Sequence, residues 1–457
     1  MKLHKNVDLL RGRIASALFR LAMPIVAGSI MGLLYNLTDM FWVGSLGFQA
    51  LAAVGTGGMV FWFSEGILAL VRSGTQITVG HTLGREDRED ARRLARTGLK
   101  STYILAVLVM AILISARRPL VAYFRLNEAT TVAMTETYLW IVALGLVPTF
   151  GTRVLGALYT VDGNSKPPFL ANTIGLIVNM ALDPLFILVF KWGVAGAAWA
   201  TTIAQTVAWL LLLYIMRGDR LLQKLELSRN FGDWYGFRRI FRTGYPIAAQ
   251  AVARPFLASL ISRIVAGFGD LYVAAQRLGV QVESISWLAA DAFGTALNAF
   301  TAQNHGAGNR RRVRAGFGQA ILLVSIFGIF TSLLLYFGAG LIASFFVDSA
   351  EEIVSVADYL RIAGVSQWPL CLEIVSIAAF TGLGRTFYPA LIGVSMLALR
   401  VPMSIRLAST GLGIHGVWWT LTITSILSGL ILSVSFALYS WRYERQGEAL
   451  YGDGQDR

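Results

Sequence analysis

Cysteine is nearly absent from this chain. Cys371 is the single one in 457 residues, so no internal disulfide can form. Histidine is almost as scarce, and His4, His81, His305 and His415 never recur at metal-ligand spacing. Charged residues make up only 14%, where a soluble domain carries roughly 25%. That shortfall excludes a string of soluble domains. No Walker A loop, GxSxG elbow or HExxH pair occurs, which argues against a nucleotide-driven pump and against the enzymes those motifs mark. No enzyme activity and no cofactor is expected. The first fifteen residues are polar and basic with no small-residue cleavage site after them, so no removable signal peptide is expected.

Apolar length is plentiful. Hydrophobic residues make up 55%, and mean hydropathy is +0.61. Runs of about 20 apolar residues cross a bilayer as helices. Twelve are predicted, at 17–41, 50–76, 99–117, 132–156, 168–190, 194–216, 244–267, 272–300, 317–346, 354–380, 388–406 and 413–440. The fold class is therefore all-α integral membrane. The net charge of +13 sits largely in the connections. Of the 39 Lys and Arg residues, 26 fall on one side and 5 on the other, which predicts that both termini are cytoplasmic. Such a distribution fits anionic lipid heads and gives no reason to expect a nucleic-acid partner. The run REDREDARRLAR within 81–100 reads as an amphipathic loop helix on the cytoplasmic surface.

The sequence repeats itself. Pro24 matches Pro246, and Gly84 matches Gly306, both at an offset of 222. YLWIVALGLVP from Tyr138 matches YLRIAGVSQWP from Tyr359 at 221. Gly163 and Pro168 match Gly384 and Pro389 at the same offset. Gly193, Gly196 and Trp199 match Gly413, Gly416 and Trp419 at 220. Two pseudo-symmetric six-helix lobes follow, 1–216 and 244–440, with a cytoplasmic linker at 217–243 and a tail at 441–457. An even span count gives the lobes one orientation, so the predicted axis lies along the membrane normal. Paired lobes around a central cavity suit alternating access.

Two acids stand inside the apolar spans of the first lobe. Asp183 lies in NTIGLIVNMALDPLFILVF, with Asn179 one turn earlier on the same face and Pro184 directly after. Asp39 lies near the end of the first span, one turn after Tyr35 and close to Asn36. An acid in hydrocarbon is costly and is a functional-site hypothesis by default. The blander reading is a polar cluster that glues helices together. The repeat weakens it, because Ile261 and Ser404 stand at the equivalent positions and symmetric packing would not need acids in one lobe only. Glu65, Glu283, Asp291 and Glu373 are further acids, which Arg254, Arg263, Arg277 and Arg361 could neutralise. The aromatics 61–63 fit a cavity wall or a lipid-interface belt. Arg400, two residues before Pro402, reads as architectural.

PIVAGSIMGLLYNLTDMFWVGSLG, the loop VDGNSKPP, then NMALDPLFI and GVAGAAWAT resemble the multidrug and toxic compound extrusion (MATE) transporters, on their DinF-like and archaeal branch. The resemblance spans nearly the whole chain. It implies a plasma (inner) membrane exporter of small organic, cationic or amphipathic compounds, acting as a monomer by antiport against H⁺ or Na⁺. It places a cation-coupling site, able to take Na⁺, at Asp39, Asn179, Asp183 and Thr201. Tyr35, Asn36, Tyr138 and Thr202 would line the substrate cavity. The chain departs from the NorM-like branch, which is expected to carry acids where Arg254 and Arg385 stand here, so coupling is expected in the first lobe. All-oxygen donors suit a hard ion rather than a soft metal. The alternative within the superfamily is a flippase for a lipid-linked precursor, which the arginines 153, 254 and 263 would suit.

Overall fold

Where a helix can start and stop is set here by glycines, short polar turns and prolines between long apolar stretches. The computed structural model describes residues 6–126, 128–218 and 233–452. Among them all regular structure is helical, and they fall into two compact units.

Unit 1 comprises residues up to Val7 and Met23–Ala248. It holds most of α1 (Ile14–Gly44), then α2 (Phe48–Gly84), α3 (Arg88–Ser115), the short α4 (Arg117–Tyr123), α5 (Ala129–Leu144), α6 (Leu146–Val161), α7 (Lys166–Pro184) and α8 (Gly193–Met216). Unit 2 comprises Asp8–Ala22 and Ala249 onward. It holds most of α9 (Trp234–Ala266), then α10 (Asp270–Gly306), α11 (Arg310–Phe337), the short α12 (Ala339–Ser344), α13 (Ala350–Gly364), α14 (Gln367–Gly382), α15 (Phe387–Leu407) and α16 (Ile414–Gly452). The units divide within α1 beside Pro24 and within α9 beside Pro246. Each proline removes a backbone donor from its helix at an equivalent point of the repeat.

Among the described residues, eight helices are each long and apolar enough to cross a membrane. Two more spans are bent pairs, α5 with α6 at 48° and α13 with α14 at 49°. α9 and α10 are equally long but carry Arg254, Arg263, Arg277, Glu283 and Asp291 within them. Together these make twelve spans in two six-helix lobes. Large apolar side chains such as Phe41, Trp62, Ile326 and Phe330 stay exposed, as a lipid-facing surface requires.

The spans differ in detail from the expectation. The run 132–156 is not one straight helix but breaks at Gly145, and 354–380 breaks at Val365 and Ser366. The expected loop helix within 81–100 is also corrected. α2 runs on to Gly84, and α3 begins at Arg88, capped by Asp87, whose carboxylate accepts from the Asp90 N–H at 3.0 Å. Ala91, Leu94, Ala95 and Gly98 are buried along one stripe, and Gly98 packs on Thr75 of α2. The basic run is therefore the first turns of a spanning helix.

Residues 219–232 of the 217–243 connection lie outside the described residues, whereas Trp234–Thr243 are already helical. Asp233 fastens this start of α9. It accepts from the Gly236 N–H at 3.0 Å and from the Thr97 hydroxyl at 2.9 Å, and Arg239 lies 3.6 Å from Asp90. Most of the 441–457 tail continues α16 to Gly452, and 453–457 lie outside the described residues.

The repeat reappears as geometry. α7 ends in a π-helical turn, Leu185–Val189, and α15 ends in a kinked turn, Ala408–Leu412, where Gly411 has a φ of 85°. Gly193 and Gly413 follow with φ of 56° and 54°, a left-handed backbone that glycine adopts freely. The Tyr138 ring lies where a Gly57 side chain would be, and the Tyr359 ring does the same at Gly279. Thr202 donates to the Ile141 carbonyl at 3.2 Å, and Thr422 donates to that of Ile362 at 3.0 Å. Both bonds tie α8 or α16 to the span bent just beyond. The buried cluster of Val43, Tyr138, Ile141, Val194 and Ala197 has its equivalent in Val265, Tyr359, Ile362, Ile414 and Val417.

Candidate functional site

The first-lobe polar cluster is built by four helices, α1, α5, α7 and α8. α7 supplies Asn179 and Asp183, four residues apart and so on one face. Both are fully buried. With its amide oriented to complement its neighbours, Asn179 donates from Nδ2 to Asp183 Oδ2 at 2.9 Å. Its Oδ1 accepts from the Thr201 backbone N–H on α8 at 3.2 Å. Thr201 in turn shares a 2.9 Å hydrogen bond between its hydroxyl and that of Tyr35 on α1. Asp39 follows Tyr35 by one turn of α1, half-buried on the same helical face.

The sequence places the site just where regular backbone ends. Pro184 has no amide to continue the α-helical ladder, and the chain shifts into the π-helical turn directly after Asp183. Phe190 and Trp192 then donate their backbone N–H groups to the carbonyls of Leu185 and Phe186, both at 2.9 Å. Phe186, Phe190 and Trp192 stack around that turn. The acid is thus held at a break that packing stabilises.

Six of the eight predicted site residues come together: Tyr35, Asp39, Tyr138, Asn179, Asp183 and Thr201. Two do not. Thr202 is buried with its hydroxyl engaged by Ile141, which makes it a strut rather than a cavity wall. Asn36 is exposed, makes no side-chain hydrogen bond, and stands about 100° round the helix from Tyr35. Gly57 was not singled out from the sequence, yet its missing side chain is what seats the Tyr138 ring. A repeat partner, Gly279, was the signal that could have found it. Glu65, one of the further acids, lies 3.5 Å from Arg153. Glu283 accepts from Gln367 at 3.0 Å and from the Tyr359 hydroxyl. Among the described residues no ion pair joins either Glu283 or Glu373 to the arginines expected to neutralise them, and Arg361 pairs with Asp358 at 3.2 Å instead.

Two carboxylates and neutral oxygens in a membrane-spanning lobe are donors of the kind a small hard cation takes. Both carboxylates ionised in one enclosed space would repel, so the pair favours holding a positive charge. A duplicated twelve-span bundle has the construction of a membrane transporter. The MatE family pattern matches residues 24–185 and 246–405, one match in each lobe, and the chain belongs to that family of non-enzymatic membrane transporters. A probable multidrug resistance protein NorM of Thermotoga maritima is 23% identical over 419 residues, covering 89% of this chain and 88% of its own. An FAD transporter of Shewanella oneidensis is 25% identical over 433 residues, covering 92% and 94%. The crystal structure of a MATE protein in its bent conformation superposes with a TM-score of 0.91 at 22% identity. That match covers 98% of this chain and all of the other.

Proposed function

We propose that this protein is a secondary multidrug exporter of a plasma (inner) membrane, with both termini cytoplasmic, acting as a monomer on small amphipathic organic compounds. Its coupling ion, H⁺ or Na⁺, binds at Asp39 and Asp183. The observation that carries this reading is that Asp39 on α1 lies one turn from Tyr35, whose hydroxyl bonds Thr201 beside the buried Asn179–Asp183 pair of α7. Ion entry neutralises the carboxylates, and a cationic cargo then loses its counter-charge and leaves. The ion and the cargo compete for the same negative groups, and each shifts the protein between states only by its differing affinity for them. The cluster is already knit by its own hydrogen bonds, with the Asn179 amide N–H facing Asp183, which suits a proton. A Na⁺ ion would draw the Asn179 amide round to present its oxygen.

Purified protein in liposomes loaded with a fluorescent organic cation tests this under separately imposed pH and Na⁺ gradients. Wild type should show efflux driven by one gradient. Asp39→Asn and Asp183→Asn should fold and lose the gradient-driven part. Full coupled efflux by both variants would remove the first-lobe site from the mechanism. A precursor flippase is the second reading, favoured by the arginines of the second lobe, and it predicts no response of transport to either acid.

A further inference from the structure

The repeat allows the first-lobe site to be compared with its own duplicate. α9 follows α1 at an offset of 222, α15 follows α7 at 221 and α16 follows α8 at 220. At those offsets Tyr35, Asp39, Asn179 and Thr201 correspond to Leu257, Ile261, Arg400 and Leu421. All four line one cavity of about 460 Å³ within the second unit, a volume in the range of small-molecule pockets. The acids are gone, since Ile261 replaces Asp39 and Ser404 replaces Asp183. Two more arginines line the same cavity, Arg254 and Arg277, where the first lobe has Gly32 and Gly55. Both glycines stand in open space, so the duplicate has filled free positions with guanidinium groups. The first lobe thus carries two acids in this region, and the second carries three arginines and one acid, at different positions of the repeat.

The arginines are balanced only in part from within: three guanidinium groups line the cavity with one carboxylate, Glu373, which lies near Arg254 and Arg400, and Glu283 also lies near Arg400. No ion pair within 4 Å joins Glu373 to Arg254, Arg277 or Arg400. Glu283 is engaged by Tyr359 and Gln367. Arg400 is braced by neutral groups: its Nε donates to the Thr424 hydroxyl and its Nη2 to that of Ser425, both at 2.9 Å. The other guanidinium nitrogen, Nη1, remains for a ligand. A guanidinium held rigid by two hydroxyls, with no carboxylate in direct contact and a surplus of arginines around it, is arranged to meet an anion. The rest of the lining, including Leu257, Val280, Met396 and Leu397, is apolar.

We propose that this second-lobe cavity binds the phosphate or carboxylate group of an amphipathic organic anion, with Arg254, Arg277 and Arg400 taking the anionic group and the apolar wall taking the body. The site extends the range of cargo beyond cations. It relies on the exporter reading only for the direction of movement, since binding needs no ion gradient.

The test is equilibrium binding to the full chain in phosphatidylcholine nanodiscs, read by flavin fluorescence. Flavin mononucleotide carries a phosphate on an aromatic body, and riboflavin is the same body without it. Flavin mononucleotide should bind roughly tenfold or more tightly than riboflavin, and Arg254→Ala combined with Arg277→Ala should bring the two to near parity. Arg400→Gln should weaken the phosphate preference on its own, which keeps the test alive if the double variant misfolds. Equal affinities in wild type, or a preference untouched by the arginine variants, would overturn the proposal. Discs containing phosphatidylglycerol then name the source of the anion. Competition with flavin mononucleotide supports a lipid headgroup phosphate reaching these arginines, and unchanged binding supports a soluble anion. Because no gradient is applied, failure here is distinct from failure of coupling at Asp39 and Asp183.

Discussion

Replacing Asn179 by leucine separates a proton from a sodium ion at the first-lobe site. The side chains have similar size, so the packing of α7 should survive. The change removes the donor that faces Asp183 Oδ2 at 2.9 Å and the acceptor for the Thr201 N–H at 3.2 Å. Asp183 is fully enclosed and cannot recover a donor from bulk water. A hydrogen bond to a charged group contributes about 1.5–3 kcal/mol, so the ionised, empty site rises by that amount relative to the neutralised one. A proton should then be held roughly ten- to a hundredfold more tightly. Efflux from liposomes, followed across external pH, should show its half-maximal point moved upward by about one to two pH units. For Na⁺ the sign reverses, because the variant loses an oxygen the ion would use, and the Na⁺ concentration for half-maximal efflux should rise. An unchanged pH and Na⁺ dependence in a folded variant would refute the role given to Asn179.

Other outcomes follow from the packing. Gly57→Ala and Gly279→Ala each drive a methyl into a tyrosine ring and should destabilise by about 1–3 kcal/mol in detergent melts, while Gly58→Ala, with open space around it, should be near neutral. Thr202→Val and Thr422→Val each remove an equivalent strut to a backbone carbonyl and should lower stability by similar amounts, about 1 kcal/mol. Asp233→Ala removes a cap and the contact with Thr97. It should increase hydrogen exchange across Trp234–Thr243 without touching the amides of α7.

Spacing and composition made much of this molecule legible. Twelve apolar runs and a recurring offset define the spans and the duplication, because membrane helices must satisfy their own backbone and so advertise their length. Asn179 and Asp183 were readable because a four-residue step puts them on one helical face. The bends at Gly145 and at Val365–Ser366 were missed because hydropathy runs unbroken across them, although Pro148 and Pro369 each remove the donor for the carbonyl four residues back, Leu144 and Val365. The start of α3 was misread because its basic residues look solvated, although every third or fourth residue beside them is small and buried. Asn36 and Thr202 illustrate a finer limit. Each neighbours a site residue in sequence, but one step along a helix turns a side chain by about 100°, away from the cluster. Arg400 looked architectural in isolation; the repeat aligns it with Asn179, and the structure puts it on a cavity wall.

The central claim is that cargo and coupling ion exclude one another at Asp39 and Asp183. It is tested most directly by adding a fluorescent organic cation to purified protein in weakly buffered, gradient-free solution and measuring what comes off. Wild type should release about one proton or one Na⁺ per cation bound, and Asp39→Asn and Asp183→Asn should release markedly less. Cation binding of normal strength with no ion released from wild type would contradict the account.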